Sequence, residues 1–203
     1  MFAFEKTRKR SVCPQVPQVL GFRVFPKDGA KPVKPARVGL YRPWVASIDE
    51  GWTRWILEQY QFPFTNLYNA DIRAGHLREH FVTIVIPDMT ERQILDGHHD
   101  GAVPERYVGG IGDEGAQELR DFVGDGGTLV TFNNASMFAV NRFKLPVENC
   151  AGGVRPDQFF YSGSLLTVHV EDAKNPLAAG LAADTIVMYE RGPAFNTKKE
   201  FKG

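Results

Sequence analysis

The chain has 203 residues, room for one large domain or two small ones at the ~100–200 residues a domain usually takes. Hydrophobic residues make up 43% and charged residues 24%, a globular balance that excludes disorder and low complexity for the bulk of the chain. Lys plus Arg and Asp plus Glu number 24 each, so no net field draws nucleic acid or an anionic membrane, and neither is expected as a partner. Cys13 and Cys150 are too few for a disulfide scaffold or a four-cysteine zinc site, and a bridge between them is left open. No apolar run approaches the ~20 residues that span a bilayer. The opening MFAFEKTRKR runs from apolar to basic, the reverse of a signal peptide, so no export signal is expected and the compartment is not legible.

Residues 1–36 stand apart. Four basic residues within Lys6–Arg10 precede Pro14, Pro17, Pro26, Pro32 and Pro35, with Lys27, Lys31 and Lys34 between them. Proline fixes φ and removes a donor, so neither a long helix nor a central strand is expected, and the stretch reads as an arm or linker. Residues 37–203 read as one domain. Arg37–Tyr41 is a short apolar run closed by Arg42 and Pro43, the signature of a buried strand. Ser47-Ile-Asp-Glu50 has the spacing of a capping box, and Trp52, Trp55, Ile56 and Tyr60 recur at helical intervals. Asp49–Gln61 therefore reads as an amphipathic helix that Pro63 stops.

Phe64–Tyr68 reads as a second strand and Asp71–His80 as a helical turn. His80–Pro87 (HFVTIVIP) is the strongest strand, β-branched and apolar on both faces. Met89–Gly110 reads as a polar loop with a short helix at Thr90–Leu95. Asp113–Val123 reads as a helix ended by Gly124, Gly126 and Gly127. Thr128–Phe132 reads as a central parallel strand and Ala135–Phe143 as a short helix after a sharp elbow. Phe159–Glu171 and Ile186–Glu190 read as extended. Apolar strands alternating with helices predict an α/β fold with a mainly parallel sheet covered on both faces, followed by a strand-rich C-terminal extension.

Several short motifs carry a chemical reading beside a plainer one. Gly110–Gly115 spells G-x-G-x-x-G, but a dinucleotide loop must follow a strand directly; here it follows a loop, and Asp113 and Glu114 would face the phosphate. It reads as a glycine-rich helix entry. His76-Leu-Arg-Glu-His80 spells H-x-x-E-H, which needs both histidines on one helical face and a third ligand; the segment runs into a strand and reads as a solvated turn. His98-His99-Asp100 reads as a solvated loop cluster. Cys150 reads as a small buried residue, with a Cys150–His169 pair as the catalytic alternative. Asn134-Ala-Ser136 fits the glycosylation pattern but follows a core strand directly.

Ligands of open α/β sheets bind at the carboxyl ends of the strands, where strand order switches. The residues placed there are Arg42 and Trp44, then Asp88, then Asn133, Asn134 and Ser136. They suit a polar ligand. They do not form a nucleophile–base pair, because Ser136 has no assigned base and asparagine cannot serve as one.

Arg37–Gly75 (RVGLYRPWVASIDEGWTRWILEQYQFPFTNLYNADIRAG), Val85–Asp88 (VIPD) and Tyr107–Val130 (YVGGIGDEGAQELRDFVGDGGTLV) together resemble the C-terminal region of bacterial M14-type zinc carboxypeptidase-like proteins. That region is similar to the class I glutamine-amidotransferase-like fold, a flavodoxin-like three-layer α/β sandwich. The resemblance covers roughly Arg37–Phe195 and implies that fold. Amidotransferases of this fold carry a cysteine at a strand-to-helix elbow, and the matching elbow here, Thr131-Phe-Asn-Asn-Ala-Ser136, has none. His76-Leu-Arg-Glu79 and His169 echo the peptidase's H-x-x-E and distant histidine but fall inside the accessory region, so no zinc role passes to them. The resemblance thus implies a non-catalytic accessory domain, with no cofactor of its own and no catalytic residue. Its partner would be an N-terminal peptidase domain that holds the zinc, and its ligand a peptide or carbohydrate. Two alternatives rest on the residues alone: a small hydrolase or transferase at Asp88, Asn133 and Ser136, and a zinc peptidase through His76, Glu79 and His80.

Overall fold

The computed structural model describes residues 2–6, 22–26, 37–155, 157, 163–190 and 192–197, the first two stretches as backbone only. The elements are β1 (Phe2–Lys6), β2 (Phe22–Pro26), β3 (Val38–Tyr41), α1 (Ile48–Gln59), β4 (Phe64–Leu67), α2 (Asn69–Arg73), α3 (Leu77–His80), β5 (Thr83–Ile86), α4 (Glu91–Leu95), α5 (Gly112–Gly124), β6 (Thr128–Thr131), α6 (Ala135–Phe143), β7 (Val147–Asn149), β8 (Ser164–His169), β9 (Asp184–Tyr189) and β10 (Phe195–Thr197). Short 3₁₀ turns lie at Glu105–Tyr107 and Pro176–Ala178.

Four strands form an all-parallel sheet in the order β4-β3-β5-β6. With its flanking helices it makes a flavodoxin-like α/β sandwich, as the alternation of apolar runs and helices predicts. Register places Gly39 beside Ile84 and Leu40 beside Val85. Because side chains alternate along a strand, Tyr41, Ile84 and Ile86 share one face. They enter a core with Ile72 and Leu77 of α2 and α3, Ile94 of α4, Leu119 and Phe122 of α5, and Phe138 of α6. Gly39 is small because the Phe81 ring lies 3.1 Å from where its Cβ would be. Gly115 lets α5 approach α2, since a Cβ there would stand 3.2 Å from Ile72 Cγ2 and 2.7 Å from Ile111 Cβ. Packing thus accounts for Gly115, and the left-handed backbone (φ 63°) for Gly112.

Three details differ from the sequence reading. First, β6 is parallel to β5 but lies at the edge of the sheet, not at its centre, because among the described residues no later strand joins beyond it. Second, Asp71–His80 is two short helices, not one turn: Gly75 (φ 75°) and His76 (φ 55°) break them apart. Third, α1 forms where expected, but Trp52, Trp55, Ile56 and Tyr60 are exposed. The face turned inward carries Glu50, which pairs with Arg54 at 3.0 Å.

The α1 cap is half of the expected box. Ser47 Oγ accepts from the Glu50 amide at 3.1 Å, while the Glu50 carboxylate takes Arg54 instead of reaching back. Ser47→Ala is expected to cost about 0.5–2 kcal/mol through the lost acceptor. Urea titration measures it; an unchanged midpoint at unchanged slope contradicts the capping role.

The described residues group into two compact units, 2–146 and 147 onward. In the first, β1 and β2 pair antiparallel, with Phe2 opposite Pro26 and Lys6 opposite Phe22. The rest of residues 1–36, with Cys13 and hence any Cys13–Cys150 bridge, lies outside the described residues. In the second unit β8 pairs with β9 and β7 with β10, both antiparallel, which is the strand-rich extension. Positions 159–162 of the expected Phe159–Glu171 strand lie outside the described residues. Among the described residues no helix is long and apolar enough to cross a membrane.

Candidate functional site

The sheet reverses its strand order between β3 and β5, since β4 joins one side of β3 and β5 the other. Arg42 follows β3 and Asp88 closely follows β5, so these residues head the two strands that flank the switch point. Around them the expected residues fall into two groups.

The first group is aromatic. Arg42 N donates to Leu67 O at 2.9 Å and extends the β3–β4 pairing by one residue. Two residues on, the Trp44 ring stacks on Tyr68 with centroids 4.8 Å apart and meets Tyr107 at 4.7 Å, tilted by 59°. The Arg42 guanidinium lies 5.9 Å over the Tyr68 ring and Arg106 lies 4.5 Å over Tyr107. His98 Nε2 lies 3.1 Å from the Trp44 carbonyl. Beneath this cluster, the buried Tyr41 hydroxyl donates to Asn69 Oδ1 at 2.8 Å, and Asn69 Nδ2 donates to Gly109 O at 2.9 Å. Arg73 Nη1 donates to Gly110 O. This chain of bonds ties β3, α2 and the Gly109–Gly110 segment together and so sets the position of Tyr107. Burial pushes the Tyr41 phenol well above its ordinary value, with Arg73 opposing in small part.

The second group is the elbow after β6. Asn133 takes the left-handed conformation (φ 46°), which asparagine tolerates better than most residues. Its Nδ2 donates to Asp88 Oδ2 at 2.6 Å, and the Asn134 amide donates to Asp88 Oδ1 at 3.0 Å. Both Asp88 oxygens therefore hold the elbow. Ser136 Oγ donates to the Thr131 carbonyl at 3.2 Å and accepts from Thr131 Oγ1 at 3.4 Å. The hydroxyl is engaged on its own turn and faces no histidine partner. The predicted sharp turn from β6 into α6 is present, and Asn133 stands at its tightest point.

The structure thus joins Arg42 to Trp44 through Tyr68, and Asp88 to Asn133 and Asn134, while among the described residues Ser136 bonds within its own turn. Four residues of the aromatic group, Tyr68, His98, Arg106 and Tyr107, are absent from the strand-end set read from the sequence, where His98 figures only in a solvated loop cluster. Tyr68 was findable, because it directly follows β4 just as Arg42 follows β3. Tyr107, Arg106 and His98 come from a loop whose return to the sheet no local pattern encodes.

The other motifs separate. His76 precedes α3 in the left-handed region, and its Nδ1 lies 3.3 Å from Glu79 Oε1. A zinc pair at i and i+4 needs one continuous helix, so His76 and His80 lack that arrangement. His98 turns to Trp44 and His99 to Arg92, 3.1 Å away. Cys150 Sγ donates to Ala194 O at 3.2 Å, and His169 Nδ1 lies 3.0 Å from Asp184 Oδ1; the two are not paired. Cys150 is exposed, not the small buried residue expected. Among the described residues no group of three or more His, Cys, Asp or Glu side chains is placed to hold a metal ion.

No protein-family model, no curated protein and no solved structure matches the chain. The fold and site define a class, a flavodoxin-like α/β sandwich whose strand ends carry an aromatic–arginine cluster and an amide-bearing elbow.

Proposed function

We propose that this chain is a non-catalytic, amidotransferase-like accessory domain of an M14-type metallocarboxypeptidase-like protein. Its role is to pack against an N-terminal peptidase domain or to bind a peptide or carbohydrate at the strand ends. The zinc belongs to the peptidase domain of the parent, and no cofactor is assigned to this chain. The observation that carries the proposal is Asn133 at the elbow, with Asp88 holding its side chain. In the resembled fold that elbow presents the nucleophile. An amide donates and accepts hydrogen bonds but does not attack a carbonyl usefully at neutral pH. The aromatic cluster supports the binding role, since Trp44, Tyr68 and two arginines offer stacking and cationic contacts.

Two measurements test this. Assays with glutamine, p-nitrophenyl acetate and a C-terminal hippuryl peptide, each with and without added zinc, should give no turnover above buffer. Turnover lost on Ser136→Ala or Asp88→Ala would instead promote the small hydrolase. The reading frame upstream of Met1 should encode a zinc peptidase in continuity with this chain; a frame that encodes none removes the parent assignment.

A further inference from the structure

An amphipathic helix normally buries its apolar stripe. Helix α1 does the reverse. Ile48, Trp52, Trp55 and Ile56 recur at i, i+4, i+7 and i+8 and are 77%, 59%, 46% and 48% exposed, with Tyr60 and Phe62 continuing the surface. On the opposite side Glu50 is 7% exposed and holds Arg54. At their observed exposures the four aromatics alone leave about 300–500 Å² of ring surface open, taking ~150–250 Å² for each full ring. The isoleucines add to that. This matches the largest patch of a typical monomer, which is often functional, and supplies about half or more of the ~800 Å² per partner of a standard interface.

Three kinds of occupant are distinguishable by chemistry. A sugar chain needs coplanar platforms, but Trp52 and Trp55 meet edge to face at 88° with centroids 5.7 Å apart. An anionic lipid surface needs basic flanks, whereas the charged residues beside the stripe are Asp49 and Glu58, and Arg54 is engaged by Glu50. A second copy of this chain fits. Trp52 and Trp55 sit symmetrically about the helix midpoint, and Gly51 leaves open space beside the stripe, since a Cβ there meets nothing within 4 Å.

We infer that α1 is a homodimer interface, in which two copies pack antiparallel about a two-fold axis beside Thr53 and Arg54. Rotation about that axis returns each flank of the helix to the same flank of the second copy. Trp55 then lies over Gly51 of the second copy and Trp52 against Ile56, each contact occurring twice. Glu58 falls near the amino terminus of the second α1, where the helix dipole favours a negative charge, level with Asp49 but on the opposite side of the helix.

Sedimentation velocity over a concentration series, on the full chain, tests it. The wild type should show a monomer–dimer equilibrium with a blue shift of tryptophan emission on association. Trp55→Glu and Gly51→Gln should each weaken the dimer about 10-fold or more. Trp55 is exposed and half-buried Gly51 has room for a Cβ, so far-UV circular dichroism should stay unchanged and show that the variants are folded. A wild type that stays monomeric at every concentration overturns the inference. So does a dimer that survives both substitutions, or a monomer whose tryptophan emission shifts on xylan, a basic peptide or phosphatidylserine vesicles instead.

Discussion

Phe138→Ala should lower the unfolding free energy by about 3–5 kcal/mol, the range for truncating a buried phenylalanine. Phe138 is fully buried, and its ring meets Phe143 edge to face with centroids 5.9 Å apart. It anchors α6 to the core that also holds Ile94 and Ala135. Without it α6 retains few apolar anchors, and the elbow that α6 continues should loosen with it. Phe132→Ala is the control: the same residue type six positions earlier is 43% exposed, and its loss should stay below about 1 kcal/mol. Guanidinium titrations of both variants measure the difference. Equal losses at the two positions would mean that α6 is not docked as described.

Asn69→Ala should be the next most damaging of these substitutions. Asn69 is 3% exposed and bridges the Tyr41 hydroxyl to Gly109 O. Its removal leaves a phenol with 0% exposure without an acceptor, which costs about 1–3 kcal/mol for that group alone. It also frees the segment that carries Tyr107 against Trp44. The same burial gives Tyr41 a pH signature. Its folded pKa is raised above the ~10 of an unfolded tyrosine, so the stability it contributes is complete below about pH 10 and is lost as pH rises from there toward the folded value. Above about pH 10 the unfolded chain releases this proton while the native chain keeps it, and stability falls. Tyr41→Phe should therefore flatten the fall in denaturation midpoint between about pH 9 and pH 11. An equally steep fall in that variant would show that Tyr41 ionises as readily in the folded chain as in the unfolded one.

Neither effect has a local signature. In sequence Tyr41 closes an apolar run and Asn69 opens a short helix, and nothing in their surroundings marks them as partners 28 residues apart. The elbow is a different case. Glycines at 124, 126 and 127, a β-favouring run and small residues at 135 and 136 place Asn133 and Asn134 at a strand-to-helix turn by local chemistry alone. What local chemistry omits is Asp88, 45 residues upstream, whose two oxygens hold that turn. The strand-end rule names Asp88 as a site residue for its charge; the fold commits both oxygens to the elbow.

The elements themselves follow from the sequence because their causes are short-ranged. A β-branched run makes β5, Ser47 caps α1 at its own first turn, and alternating strands and helices specify a parallel sheet. Long-range pairing decided the rest. It set β6 at the edge, because strand order depends on which later segments add to the sheet. It brought Tyr107 and His98 to Trp44, because a loop returned to the strand ends. The clearest division lies in α1. Periodicity determines that Ile48, Trp52, Trp55 and Ile56 share a stripe, since the helix repeat is a property of the backbone. Which way the stripe turns depends on the faces available to pack against, and in the tertiary structure Glu50 and Arg54 occupy the inner side and leave the tryptophans outside.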